Sequence, residues 1–213
     1  MSNDRRQAAP GPIHTRLEDG SAVCIRTIEP EDEARMRAGI AKMSPRSRYL
    51  RFFTGLNTPP DSVIDRLIAA DGYRHIAWGA IAMDAPGQPA AGAVHAYRSK
   101  EQDGCAEFSV AIVDAWHGLG LGKLLTATIL LDAEAQGLTE FAAYTLAENR
   151  SAIEFITSLG ARMVGRDGAA LEFHLPVSGA LEALRSRAEP EGLKDVFAAF
   201  EQSAESAAPS PGS

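Results

Sequence analysis

Cysteine is nearly absent: Cys24 and Cys105 are the only two in 213 residues, and they have neither zinc-ligand nor redox spacing. A disulfide-stapled fold is excluded, and free thiols in a reducing compartment are the reading. Long apolar runs are missing too. No stretch is long enough to span a bilayer, and Met1–Pro12 has no apolar segment of signal-peptide length, so a cytoplasmic protein without a membrane partner is expected. Positive charge is also short, with 21 Lys and Arg against 28 Asp and Glu and a formal charge of -7. That balance argues against a general nucleic-acid binder and suits a neutral or cationic substrate better. Internal repeats and coiled-coil heptads are absent.

What is present is a 45% hydrophobic composition, enough for one sizeable core. The chain divides into a flexible leader over 1–20, a main domain over 21–176, a helical extension over 177–203 and a disordered tail over 204–213. The extension could pack on the body or on another subunit, so a homodimer is an open expectation. Within the main domain, Ser21–Ile28 alternates as a strand and Pro30 opens a helix reaching about Ala41. Ser44 and Pro45 open a second helix, and Asp61 can cap a third. His75–Met83, Ala90–Tyr97 and Cys105–Val113 read as strands joined by short turns, hence antiparallel. A long apolar helix ends near Gly137. Phe141–Leu146 is a further strand, Ser151–Leu159 a helix closed by Gly160, and Arg162–Val164 with Ala170–Leu175 a terminal hairpin.

The chemistry concentrates where the strand ending at Val113 meets the long helix. His117, Gly118, Leu119, Gly120, Leu121, Gly122 and Lys123 form a turn with alternate glycines that opens directly into the helix. Glycines admit backbone angles closed to other residues, so successive N–H groups can face one ligand, and the helix start adds unsatisfied N–H groups and a positive dipole end. A phosphate group is the natural guest; a tight turn without a ligand is the alternative. Two nucleotide grammars fail. G-x-G-x-x-G would need glycine at Lys123 or Leu125, and a P-loop ending at Gly122–Lys123 would need glycine at His117 and Ser or Thr at Leu124.

The turn resembles the glycine-rich motif of the GNAT superfamily of acyl-CoA-dependent N-acyltransferases, with His117 standing where that motif has Arg or Gln. Asn149, Ala152, Phe155, Leu159 and Gly160 are similar to the family's late helix, and the resemblance runs from Val23 to Phe173. It implies an α+β fold layered α/β/α, with a mixed, largely antiparallel sheet of six to seven strands split between the fourth and fifth. It further implies acetyl-CoA as co-substrate and direct acetyl transfer to a primary amine, without a covalent enzyme intermediate. Ile112 and Val113 would pair with the pantetheine arm, a Val113 N–H would polarise the thioester carbonyl, and His117–Lys123 would cradle the pyrophosphate. The Lys123 side chain either adds charge or faces solvent. Asn149 would sit near the coenzyme arm, cap the following helix, or both.

Glu107 is the candidate base, since it is the only acidic side chain between Ala106 and Val113; an outward-facing strand glutamate is the alternative. Many relatives carry a tyrosine where this chain has Ile156, which leaves Tyr144, Tyr97 or Tyr49 as possible hydroxyls. Met43–Phe53 is similar to a segment in the acetyltransferase domain of bacterial protein lysine acetyltransferases. That similarity makes Arg48 and Tyr49 candidates for substrate contact and a protein lysine, beside a small amine, a candidate acceptor. No metal site is expected. A CoA-binding regulatory module is the competing reading.

Overall fold

A computed structural model describes residues 9–53 and 59–207. The outer ends of the expected leader and tail lie outside the described residues. Eight strands form one sheet: β1 (Ile13–Arg16), β2 (Ala22–Thr27), β3 (His75–Ala82), β4 (Ala90–Arg98), β5 (Cys105–Ile112), β6 (Glu140–Leu146), β7 (Arg162–Asp167) and β8 (Ala170–Pro176). Their order is β1-β2-β3-β4-β5-β6-β8-β7. Every neighbouring pair is antiparallel except β5 and β6, which run parallel. The sheet has one strand more than expected, because Ile13–Arg16 pairs with β2 instead of belonging to a flexible leader.

The parallel joint is short. Cys105–Phe108 pairs with Glu140–Ala143, and beyond it the strands part. Phe108 and Phe141 stack with centroids 5.3 Å apart at this root. The split therefore falls between the expected fourth and fifth strands, here β5 and β6.

Helices cover both faces. On one lie α1 (Glu33–Lys42), α2 (Pro45–Phe52) and α3 (Asp61–Ile68), whose Ile40, Ile64 and Leu67 form a small core. The N-cap of α3 is Pro60, with Asp61 already inside the helix. On the other face α4 (Leu121–Ala135) buries nearly its whole circumference, including Leu124, Leu125, Ile129 and Leu130. A helix apolar all round must be covered on its outer side as well as against the sheet. The cover is α6 (Val177–Arg185) and α7 (Leu193–Ala207), which insert Leu181, Leu184, Leu193 and Val196 into the main core. The expected extension is thus integral to the body, and its last helix continues to Ala207, into the stretch expected as tail. A short helix, α5 (Arg150–Ser158), follows β6. Both cysteines are free and buried. Among the described residues no helix is long and apolar enough to cross a membrane.

One polar contact crosses this core. Asp132 of α4 accepts from Trp78 Nε1 and from Gln136 Nε2, each at 2.8 Å. Burial pushes its carboxyl pKa up, against the lowering effect of those two bonds. A folded-state value above the unfolded one means that the folded protein binds the proton more tightly. Asp132 therefore favours folding most below its unfolded pKa of about 3.9, and stability declines as pH rises through its folded value. Asp132→Asn should accordingly raise the melting temperature at pH 8 and lose that advantage near pH 4. Gln136 Oε1 has no partner among the described residues and can turn to accept from the new amide. Thermal melts at both pH values check this; a variant less stable at pH 8 than at pH 4, relative to the parent, would contradict it.

Candidate active site

Where β5 and β6 part, the sheet opens into a groove of ≈ 470 Å³ running from Glu107 to the glycine turn and Asn149. At the turn, Gly118 and Gly120 have φ of 73° and 82°, left-handed values that only glycine adopts without strain. Gly120 is the N-cap of α4 and has no side chain to cap it. The N–H groups of Gly118, Leu119, Gly120, Leu121 and Gly122 have no partner among the described residues, while Lys123 N–H returns to the Gly120 carbonyl at 2.9 Å. A side chain would meet nothing at Gly118, so that side of the turn is open. At Gly120 it would lie 2.8 Å from Glu18 Oε1 and from Pro190 Cβ and Cγ. The back of the turn is therefore packed on the β1–β2 connection and on the segment between α6 and α7. Lys123 faces the same way, with Nζ 3.6 Å from Glu18, and is absent from the groove wall. Unpartnered N–H groups at a helix start with open space before them fit an anionic phosphate.

His117 also lines the groove, and its Nε2 lies 2.8 Å from the Ile112 carbonyl oxygen. A carbonyl only accepts, so Nε2 carries the proton in this contact. Its role is to fold the turn back on the strand, a contact within the protein that the sequence did not announce.

Val113 departs from its expected role. Its N–H donates to the Ala91 carbonyl at 2.9 Å and its carbonyl accepts from Trp116 N–H at 2.8 Å. Both groups are consumed. Backbone groups alternate along an antiparallel strand, so if Val113 points to β4, Val110 presents its N–H and carbonyl to the open side and Ile112 its N–H, the Ile112 carbonyl being taken by His117. Those two residues offer the strand edge. Asn149 lines the groove and caps α5, its Oδ1 accepting from Ala152 N–H at 3.4 Å and from Ser151 Oγ at 3.2 Å.

At the other end Glu107 is exposed in the groove, on the sheet face that also carries Ser109 and Ala111. Ile156 is buried and supplies no hydroxyl. Of the three tyrosines considered, Tyr144 lines the groove and donates to Glu172 at 3.1 Å. Burial, then the Glu172 contact, pushes its pKa up, so it retains its proton. Tyr97 instead donates to the Arg66 carbonyl at 3.2 Å.

The basic helix α2 covers this end, but not with the residues expected. Arg48 turns back to the Met43 carbonyl, and neither it nor Tyr49 lines the groove. Ser47, Leu50 and Arg51 do, with Arg51 Nη2 donating to Ser109 Oγ at 2.9 Å. The rotation of α2 is set by Asp114, which accepts from Ser44 N–H at 3.0 Å and from Ser47 Oγ at 2.9 Å. Burial opposes the charged form of Asp114, yet the Ser44 and Ser47 bonds outweigh it and hold the pKa below its usual value. Its stabilising effect is therefore present above the unfolded pKa of about 3.9 and is lost as pH falls through the depressed folded value. Asp114→Ala should loosen α2, weakening roughly tenfold the binding of a ligand at this end of the groove while binding at the glycine turn changes little, since a charged hydrogen bond is worth about 1.5–3 kcal/mol. Steady-state kinetics beside calorimetry separates the two; equal weakening of both would contradict it.

A smaller apolar cavity of ≈ 60 Å³ lies under α1, lined by Gly39, Met43 and Gly79 among others. It offers no bank of free N–H groups of the kind found at the turn.

Comparison with known proteins agrees with this geometry. Acetyltransferase PA5475 of Pseudomonas aeruginosa is 28% identical over 144 residues, covering 68% of this chain and 77% of its own length. Acetyltransferase Pat of Mycolicibacterium smegmatis is 23% identical over 167 residues, and the match covers 78% of this chain but only 49% of that protein. The crystal structure of the GNAT domain of S. lividans PAT superposes with a TM-score of 0.71 at 21% identity, covering 78% of this chain and 96% of that one. A profile of the acetyltransferase (GNAT) family matches residues 44–161, more than half of the chain and the whole stretch from α2 through the glycine turn to α5. The chain belongs to the acetyltransferase (GNAT) family.

Proposed function

We propose that the protein transfers an acetyl group from acetyl-CoA directly to a primary amine, on a small molecule or a protein lysine, within a ternary complex. The observation that carries the proposal is the groove itself, with unpartnered N–H groups at one end and Glu107 at the other. Gly118–Gly122 amides bind the pyrophosphate, and the open edge of β5 at Val110 and Ile112 pairs with the pantetheine arm. An N–H on that edge replaces Val113 as the donor to the thioester carbonyl, where negative charge develops.

The amine arrives as an ammonium and gives one proton to Glu107, directly or through water. The neutral nitrogen then bonds to the carbonyl carbon as the carbon–sulfur bond breaks. The nitrogen's surplus proton ends on the departing sulfur through water or the Tyr144 hydroxyl. A thiol is already a fair leaving group, so the apolar Ile156 is tolerable. Neither cysteine takes part. Both are buried, and burial, the first cause for each, raises their thiol pKa.

The test is release of the coenzyme A thiol from acetyl-CoA across amino acids, polyamines and lysine-bearing proteins, with mass spectrometry of the product. Amine-dependent release with an acetylated amine is expected. Tight acetyl-CoA binding with no turnover for any amine would make the chain a coenzyme-binding module instead.

A further inference from the structure

Arg51 is the arginine of the groove wall, and its donors are largely unspent among the described residues. Its guanidinium is half-buried and offers five donors, of which one is used, toward Ser109 Oγ at 2.9 Å. The Phe52 ring lies 5.2 Å from its Cζ. No carboxylate of the described residues pairs with it within 4.0 Å, and Glu107, the acidic residue of the same groove, attracts it only from farther off. Burial, its largest influence, lowers its pKa, and the opposing pull of Tyr97 and Glu107 only partly offsets the cost of holding this charge. A half-desolvated cation without an anion in hydrogen-bond contact is costly, and a ligand carboxylate in the groove would satisfy it.

The position of Arg51 defines the kind of ligand. Its head is fixed at Ser109, two residues along β5 from Glu107 and on the same face. Two residues of strand separate the Glu107 and Ser109 Cα atoms by about 6.7 Å, so a negative and a positive group face the groove side by side from one wall. In an α-amino acid, two bonds of about 1.5 Å separate the nitrogen from the carboxylate carbon, placing them about 2.5 Å apart. With a charge-assisted hydrogen bond of about 2.8 Å at each end, such a molecule bridges two groups up to about 8 Å apart. A polyamine would put a second cation against Arg51.

We infer that Arg51 is a specificity-determining residue and that the acceptor is a free amino acid, its amine directed to Glu107 and its carboxylate to the Arg51 guanidinium. This rests on the acetyl-transfer reading and narrows its acceptor. Ser109 is then a positioning residue, holding the guanidinium toward the groove.

The experiment compares acceptors that differ only at the carboxylate: an amino acid, its amide, its methyl ester and the decarboxylated amine, each with the full chain and acetyl-CoA. The free acid should have a kcat/KM about 10–100-fold above the other three, the difference lying in KM, as expected for one charge-assisted contact. Arg51→Ala should collapse that preference to near unity, and Arg51→Lys should restore part of it, a point charge lacking the planar fork. Retained acetyl-CoA binding by calorimetry confirms that each variant is folded. A wild-type protein that acetylates all four equally, or prefers the uncharged three, overturns the inference and leaves acetyl transfer standing. So does an acid preference that survives in Arg51→Ala. Absence of turnover with every amine sinks the underlying reading instead.

Discussion

Glu107→Gln should lower the rate of acetyl transfer at neutral pH by about 10²–10⁴-fold, the usual worth of a positioned general base. The substitution keeps size and hydrogen bonding but cannot take a proton from an ammonium. Structure should be untouched, because Glu107 is exposed in the groove and makes no hydrogen bond in the described structure that folding depends on. The loss should shrink as pH rises toward the amine's own pKa, where neutral amine is present without help. A base role thus predicts a shifted pH–rate profile, whereas a surface glutamate predicts none. Stopped-time thiol release between pH 6 and 10 reads both the depth and the shift. An unchanged profile with near-normal rate would remove Glu107 from the chemistry.

Gly120→Ala should act at the opposite end of the groove and through the backbone alone. The alanine must hold a φ of 82°, costing about 1–2 kcal/mol, and its Cβ would lie 2.8 Å from Glu18 Oε1 and from Pro190 ring atoms. Relief requires the turn to move away from the β1–β2 connection and the α6–α7 segment. That motion misdirects the N–H groups from Gly118 to Gly122. Losing two charge-assisted hydrogen bonds of about 1.5–3 kcal/mol each predicts an acetyl-CoA dissociation constant higher by at least about 100-fold. Gly118→Ala is the control. It shares a positive φ of 73° but meets nothing, so only the backbone cost should appear. Similar weakening by both variants would show that conformational freedom, and not the packing behind Gly120, governs the cradle.

The glycine-turn end of the groove is legible in the sequence because it is made of backbone. Alternate glycines leading into a helix say the same thing wherever they occur, and Asn149 reads as a cap from its neighbours alone. The split of the sheet follows from strands whose order the family motif supplies. The acceptor end is illegible for a geometric reason. Arg48 and Arg51 are three residues apart and lie on adjacent flanks of α2, so helical periodicity cannot choose between them. The choice is made by Asp114, whose bonds to Ser44 and Ser47 join residues about seventy positions apart in the chain. The Val113 assignment fails on parity: one residue along a strand turns every N–H to the other neighbour, and only the pairing with Ala91 sets which. Ile13–Arg16 escapes notice because four residues give too little alternation to separate a strand from a leader. The integration of α6 and α7 did have a signal. Thr126–Ala133 of α4 reads as small or apolar with Asp132 its one charge, so it has no solvent-facing stripe and demands a cover on its outer side.

The proposed activity requires acetyl-CoA to lie in the β5–β6 split with its pyrophosphate on the glycine turn. Titrating acetyl-CoA into uniformly ¹⁵N-labelled protein tests it without depending on any acceptor. The largest amide shifts should fall on Gly118, Leu119, Gly120, Leu121 and Gly122, with a second set at Val110 and Ile112 and little change at Val113, whose N–H is held by Ala91. Shifts concentrated around Gly39 and Gly79 under α1, or no saturable shifts at the turn, would contradict the account.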